Sequence, residues 1–193
     1  MRRVPLVATL VVALAVSIMV ALGFWQLGRL AEKEAQLARY RRAVTMSSTV
    51  PWPTTAAAHD AALYRHSRLD CARVLGIDER AGRSQAGDTG WAHVAHCELV
   101  GGGTADVAIG WSSNPAAVSW SGGEVAGFVG PAGKNGVRLV AAPAQAGLKQ
   151  LAAPDPRDVP NNHLSYAVQW FLFAATALAI YVLALRKRWR DRA

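Results

Sequence analysis

The chain has 193 residues, with 21 Lys and Arg against 13 Asp and Glu, for a formal net charge of +8. Charged residues make up 18 % and apolar ones 52 %, which excludes a disordered chain, since disorder requires high charge density and low hydrophobicity. Two cysteines exclude a disulfide-dense mini-scaffold and a four-cysteine zinc site.

Val4 to Gly28, VPLVATLVVALAVSIMVALGFWQLG, is 25 residues without a charge. A bilayer core needs about 20 apolar residues in a helix, whereas the apolar part of a cleaved signal is only about 7–15 residues long. An uncleaved transmembrane helix is therefore expected over 4–28. Arg2 and Arg3 precede it, and Phe24 and Trp25 stand near its far end, where aromatic belts sit. Arg29 to Arg42, RLAEKEAQLARYRR, is rich in helix formers and lacks Pro and Gly. The helix is thus expected to continue to about residue 42.

Residues 43–162 read as a β-rich domain with a tether. Pro51 and Pro53 around Trp52 predict an extended loop. Strands are expected at Ser67–Leu75, Trp91–Val100, Thr104–Trp111, Glu124–Val129 and Val137–Ala142. The intervening Ala81–Gly90, Gly101–Gly103, Ser112–Pro115 and Pro131–Gly136 carry turn residues. Spacing this short predicts a compact, mostly antiparallel sheet or barrel. Pro143–Pro160 reads as a tether with a helical turn at Leu148–Leu151.

Leu164 to Leu185, LSYAVQWFLFAATALAIYVLAL, is a second charge-free run, of 22 residues. It predicts a second transmembrane helix over 163–185. Arg186, Lys187, Arg188, Arg190 and Arg192 follow in a basic tail, 186–193. The charge now divides: residues 1–3 carry +2, the tail +4, and residues 29–163 only +2. Short basic segments stay cytoplasmic. Both termini are therefore expected in the cytoplasm, with the central domain in the periplasm and no nucleic-acid partner. The expected fold class is a membrane protein, α+β, with two transmembrane helices flanking a small, mostly antiparallel β periplasmic domain.

The chain has no nucleophile elbow, phosphate loop or metalloprotease helix, and no paired carboxylates for acid–base work, so a non-enzymatic role is expected. His93, His96 and Cys97 lie close together, but side chains alternate along a strand. The two histidines would then face opposite ways and could not share an ion. Cys71 and Cys97 fall in strands on the oxidising side, where a disulfide and two separate thiols both remain open. Trp25, Trp170 and Trp189 suit membrane interfaces. The best site candidate is His163, at the mouth of the second helix, with Asn161 or Asn162 as its cap. Tyr166 and Trp170 share its helix face. Gln169 and its counterpart Gln26 are polar residues at membrane depth, where such groups face a partner helix or a ligand. An imidazole in this setting suits a haem iron, and Arg29 suits a propionate.

Three stretches then resemble the SURF1 family of cytochrome oxidase assembly proteins. Leu22-Gly23-Phe24-Trp25-Gln26-Leu27-Gly28-Arg29-Leu30, with Lys33 after it, is similar to the family's first signature. Pro160 through Phe171, PNNHLSYAVQWF, is similar to its second. Ala108-Ile109-Gly110-Trp111 stands where the family has a strand ending Arg-Gly-Trp, with Ile109 in place of the arginine. The resemblance implies a non-enzymatic assembly factor for a haem–copper oxidase of the respiratory chain. It would bind haem a transiently and assist its insertion into oxidase subunit I. It also implies residence in the cell inner membrane and a haem a synthase as a further partner. The haem-ligand role falls by position on His163. Trp25, Gln26, Arg29, Tyr166, Gln169 and Trp170 become pocket or partner-contact candidates. The competing reading is a scaffold that holds an assembly intermediate and never binds haem.

Overall fold

A computed structural model describes residues 5–133 and 136–191. Arg2, Arg3, Val4 and Arg192, and positions 134–135 of the expected Pro131–Gly136 turn, lie outside the described residues. The chain divides into two units: Met1–Leu37 with Val159–Ala193, and Ala38–Asp158.

Helix α1 (Leu6–Val44) follows Pro5, whose carbonyl accepts the first intrahelical bond from Thr9 N–H at 2.9 Å. Arg41 and Arg42 occupy its last turn, where cations offset the helix dipole. The last long helix is His163–Arg190. The apolar stretch of each long helix is only 6 % covered by protein, so neither is the core helix of a soluble fold. By length and composition both suit a membrane.

The other unit holds strands β1 (Thr49–Pro51), β2 (His66–Arg83), β3 (Thr89–Leu99), β4 (Thr104–Ser112), β5 (Gly123–Ala132) and β6 (Gly136–Ala141), with helix α2 (Ala56–Ala62) after β1. The order is β1-β2-β3-β4-β6-β5, and β5 also pairs with β2. Five strands therefore close into a barrel, with β1 added at β2. The sheet is mixed, where a mostly antiparallel one is expected from sequence: β1–β2 and β4–β6 run parallel and the other pairings antiparallel. The parallel β4–β6 pair arises because the chain leaves β4 to build β5 against β2 before β6 returns between them.

Closure depends on the length of β2. His66–Cys71 pair with β5, and Cys71–Arg83 pair with β3. Irregularities at Cys71/Arg73 and Val74/Gly76 lie where the strand passes from one partner to the other, and bulges bend a strand in this way. The interior is filled by Leu69, Ala95, Val107, Ile109, Val125 and Leu139, together with a Cys71–Cys97 disulfide. The disulfide settles the alternative left open by the sequence.

Other expectations need correction. β2 runs to Arg83, through the first part of the expected Ala81–Gly90 turn. Its charged Asp78, Glu79 and Arg80 concealed a strand with a solvent-facing side. The turn is tighter, with Asp88 N–H donating to Ser84 Oγ at 3.1 Å. The expected loop at Pro51 contains edge strand β1, and Ser67 Oγ–H donates to Val50 O at 2.9 Å. Proline is tolerated on such an edge. Residues 143–160 are not a free tether. Lys149 and Trp111 exchange backbone hydrogen bonds of 2.8 and 3.0 Å, and Leu151 bridges to Ser84, so no helical turn forms at Leu148–Leu151. A short 3-10 turn occurs instead at Pro156–Asp158.

On the outer face of the barrel, His96 joins three strands. Its Nδ1 lies 2.7 Å from Asp106 Oδ1 and its Nε2 lies 3.1 Å from Asp78 Oδ2. Both ring nitrogens can donate only in the imidazolium. Hydrogen bonding to Asp78 first, and to Asp106 next, raises the His96 pKa; the same bond lowers that of Asp78, which also faces Arg80 at 3.6 Å.

Replacing Cys71 and Cys97 together by Ala should destabilise the barrel by about 3 kcal/mol, the loop-closure value for a cross-link of this span. Thermal unfolding of the full chain in detergent reads this; an unchanged midpoint would refute a structural role. The raised His96 pKa contributes stability fully below the unfolded value of about 6.5, lost as pH rises through the folded value. Asp78, whose pKa is lowered, contributes only above its unfolded value of about 3.9. The pair is therefore strongest between these limits. Raising pH from about 5.5 to about 8.5 should weaken the domain slightly in wild type, and this component should vanish in His96→Gln.

Candidate functional site

Within the unit that contains the long helices, α1 faces α3 (His163–Arg190). Gly23 marks their close approach: a Cβ there would lie 2.6 Å from Phe171 Cε1. Phe24 and Phe171 pack edge to face with centroids 5.4 Å apart. Ala167 and Ala174, small and buried, continue the contact side of α3. Farther along, the Thr9 hydroxyl donates to Pro5 O at 2.9 Å and accepts from the Tyr181 hydroxyl at 2.5 Å. Small residues allow backbones to approach, and cross-helix hydrogen bonds hold pairs in an apolar medium.

His163 opens α3. Its Nδ1 lies 2.7 Å from Gln26 Oε1 of α1. An amide oxygen only accepts, so Nδ1 carries the proton and donates. In the neutral ring this leaves the Nε2 lone pair available. Asn162 occupies the cap position, but its side chain makes no capping bond; Tyr166 N–H donates instead to Asn162 O at 3.2 Å. The expected side-chain cap is thus absent, because Asn162 adopts φ −98° and ψ 7° rather than the extended backbone that aims a capping oxygen at the helix. Asn161 Oδ1 is buried and accepts no hydrogen bond among the described residues.

The structure brings two of the expected residues together, His163 and Gln26. Gln26 therefore faces His163, and Gln169 is exposed along α3. Trp25 and Tyr166 are 56 % and 50 % exposed, which leaves their aromatic faces on the outside of the helix pair. Trp170 is half-buried and packs edge to face on Phe173, with centroids 6.2 Å apart. Arg29 pairs with Glu32 on its own helix, and both are at least half exposed. Such surface pairs hold little energy, so the guanidinium is open to exchange. The Gln26–His163 bond is the relation that sequence reading missed. Its signal was two polar residues at the same end of two apolar runs.

In the barrel, His93 and His96 have separate partners. His93 is fully buried with Nε2 2.7 Å from Ser112 Oγ, while His96 holds Asp78 and Asp106. Among the described residues no group of three or more His, Cys, Asp or Glu is placed to hold a metal ion. Ile109, at the position of the family's arginine, is fully buried in the barrel interior. An arginine there would need a buried partner for its charge.

The chain belongs to the SURF1 family, whose model matches residues 13–175, from within α1 through the barrel to α3. Membership implies involvement in cytochrome c oxidase assembly, the work of an assembly factor. No curated protein matches the chain.

The helix pairing is testable by cross-linking. Cysteines placed at Gln26 and His163 in the full chain should form a disulfide on mild oxidation. Gly23→Leu should lower that yield severalfold by forcing Phe171 away. Equal yields with and without the Gly23 change would contradict the close approach.

Proposed function

From membership in the SURF1 family, we propose that the chain binds haem a transiently through His163 and assists its insertion into subunit I of a cytochrome c oxidase. The observation that carries this reading is the Gln26–His163 hydrogen bond. Histidines that ligate metals commonly donate their other N–H to a fixed acceptor, which sets the tautomer and aims the free nitrogen. Gln26 does this for His163 and leaves Nε2 to ligate iron.

The surrounding residues suit such a cargo. Trp25, Tyr166 and Trp170 offer aromatic faces to a macrocycle. Arg29, loosely held by exposed Glu32, can exchange that partner for a propionate. Gln169 is a polar contact along α3 for a partner helix. The farnesyl tail of haem a would remain in lipid. Imidazole ligation requires no bond chemistry on the haem, so the role is carriage rather than catalysis. One exchangeable ligand gives an affinity that an acceptor subunit can exceed.

The charge distribution supports placing both termini in the cytoplasm and the barrel in the periplasm, with the helices in the inner membrane. The Cys71–Cys97 disulfide fits an oxidising compartment. A haem a synthase would be the natural giver of the haem, and subunit I its receiver.

Purified from cells that make haem a, the wild-type protein should carry haem with a low-spin or mixed-spin absorption spectrum. His163→Ala should lose it, and Gln26→Leu should retain His163 but weaken binding by about 10- to 100-fold, as outer-sphere changes do. Unchanged haem content in His163→Ala would sink the ligand assignment. Normal oxidase assembly by a protein that never carries pigment would favour the scaffold reading.

A further inference from the structure

Within Ala38–Asp158, the outer face of the barrel carries a hollow of about 360 Å³. It forms where small residues line neighbouring parts of the sheet, Ala92 of β3, Ala108 of β4 and, on the far side of β6, Gly130 of β5, beside residues 151–154. Gly130 permits this arrangement, since a Cβ there would lie 2.8 Å from Pro154 Cγ. Ala152 N–H donates to Arg83 O at 3.0 Å, and Leu151 bridges to Ser84, so the segment beside the hollow is pinned.

Arg138 of β6 lines the hollow and is half-buried. Its Nε–H donates to Pro131 O at 3.2 Å. Among the described residues its two terminal nitrogens have neither a hydrogen-bond nor an ion-pair partner. Asp106 is its register neighbour on β4, but that carboxylate is engaged by His96 at 2.7 Å. Burial lowers the Arg138 pKa from its ordinary value, and the charge of Arg80 pushes the same way, against a smaller opposing effect of Asp106. The guanidinium is thus partly desolvated and under-compensated. Arg83 and Asp158 also line the hollow, and both are exposed.

We propose that this hollow is a binding site for a small organic carboxylate, with its oxyanion on the terminal nitrogens of Arg138 and its apolar body against Ala92, Ala108 and Val140. A guanidinium offers paired donors that match a planar carboxylate. Two arginines opposed by Asp158 suit a monoanion better than a phosphate dianion. The apolar wall favours carbon behind the charge. The volume sits at the lower end of the range for small-ligand pockets, about 300–1,000 Å³. The site is separate from the proposed haem ligand and does not rest on that reading.

The test is equilibrium dialysis of the full chain in neutral maltoside micelles against labelled hexanoate, with empty micelles subtracted and inorganic phosphate as competitor. Wild type should bind hexanoate saturably and resist competition by phosphate. Arg138→Gln should bind about 10- to 100-fold more weakly, the usual effect of removing a hydrogen bond to a charged group. Ala152→Phe, at an exposed lining position, should also abolish binding by filling the hollow, and it carries the test should Arg138→Gln misfold. Absence of saturable binding, binding at the wild-type level by both variants, or displacement by phosphate at the same concentration as unlabelled hexanoate would each overturn the proposal.

Discussion

The pairing of β5 with the first half of β2 is the constraint from which the rest of the barrel unit follows. It removes two sheet edges at once, which otherwise would offer unpaired backbone to other chains. It forces β2 to serve two partners and hence to bend within its length. It also demands small interior side chains, because a five-stranded barrel encloses little volume; Ala95, Ala105 and Ala141 share the core with the disulfide for this reason. Ile109 in place of an arginine obeys the same limit: an aliphatic side chain fills the interior without bringing in a charge.

The helix unit obeys a different rule. Its surfaces are apolar nearly all round, so hydrophobicity cannot choose which faces meet. Shape and hydrogen bonds choose instead. Gly23 lets Phe171 approach, Tyr181 reaches Thr9, and His163 reaches Gln26. Three contacts spread along the helices fix the register that an apolar stripe alone would leave undetermined.

Those two rules explain what was legible in sequence. Both long helices were visible because absence of charge over such lengths has few other causes. Five strands were visible because apolar runs alternated with turn residues. The mixed character of the sheet was not, since strand order depends on which edge accepts β5, a contact between residues far apart in the chain. β1 and α2 were too short for any period to show. The pinned course of 143–158 was hidden because its bonds are made by backbone atoms, which carry no side-chain signature. His163 and Gln26 were each visible as polar residues at the ends of apolar runs. Their partnership was not, because nothing in either run states its rotation about the helix axis. The disulfide was undetermined for a related reason: the shifts within β2 set which residue of β3 Cys71 meets.

The partner of His163 is an amide rather than a carboxylate. A carboxylate would lend the ring electron density and tighten its hold on a metal. An amide supplies direction with little of that push, and it stays neutral over the whole physiological range. Under the proposed role, the imidazole gains the affinity that comes from being aimed, without the further gain a carboxylate would add. A resident cofactor site gains from both aim and added basicity. A site that must surrender what it holds gains from the aim and is spared the rest.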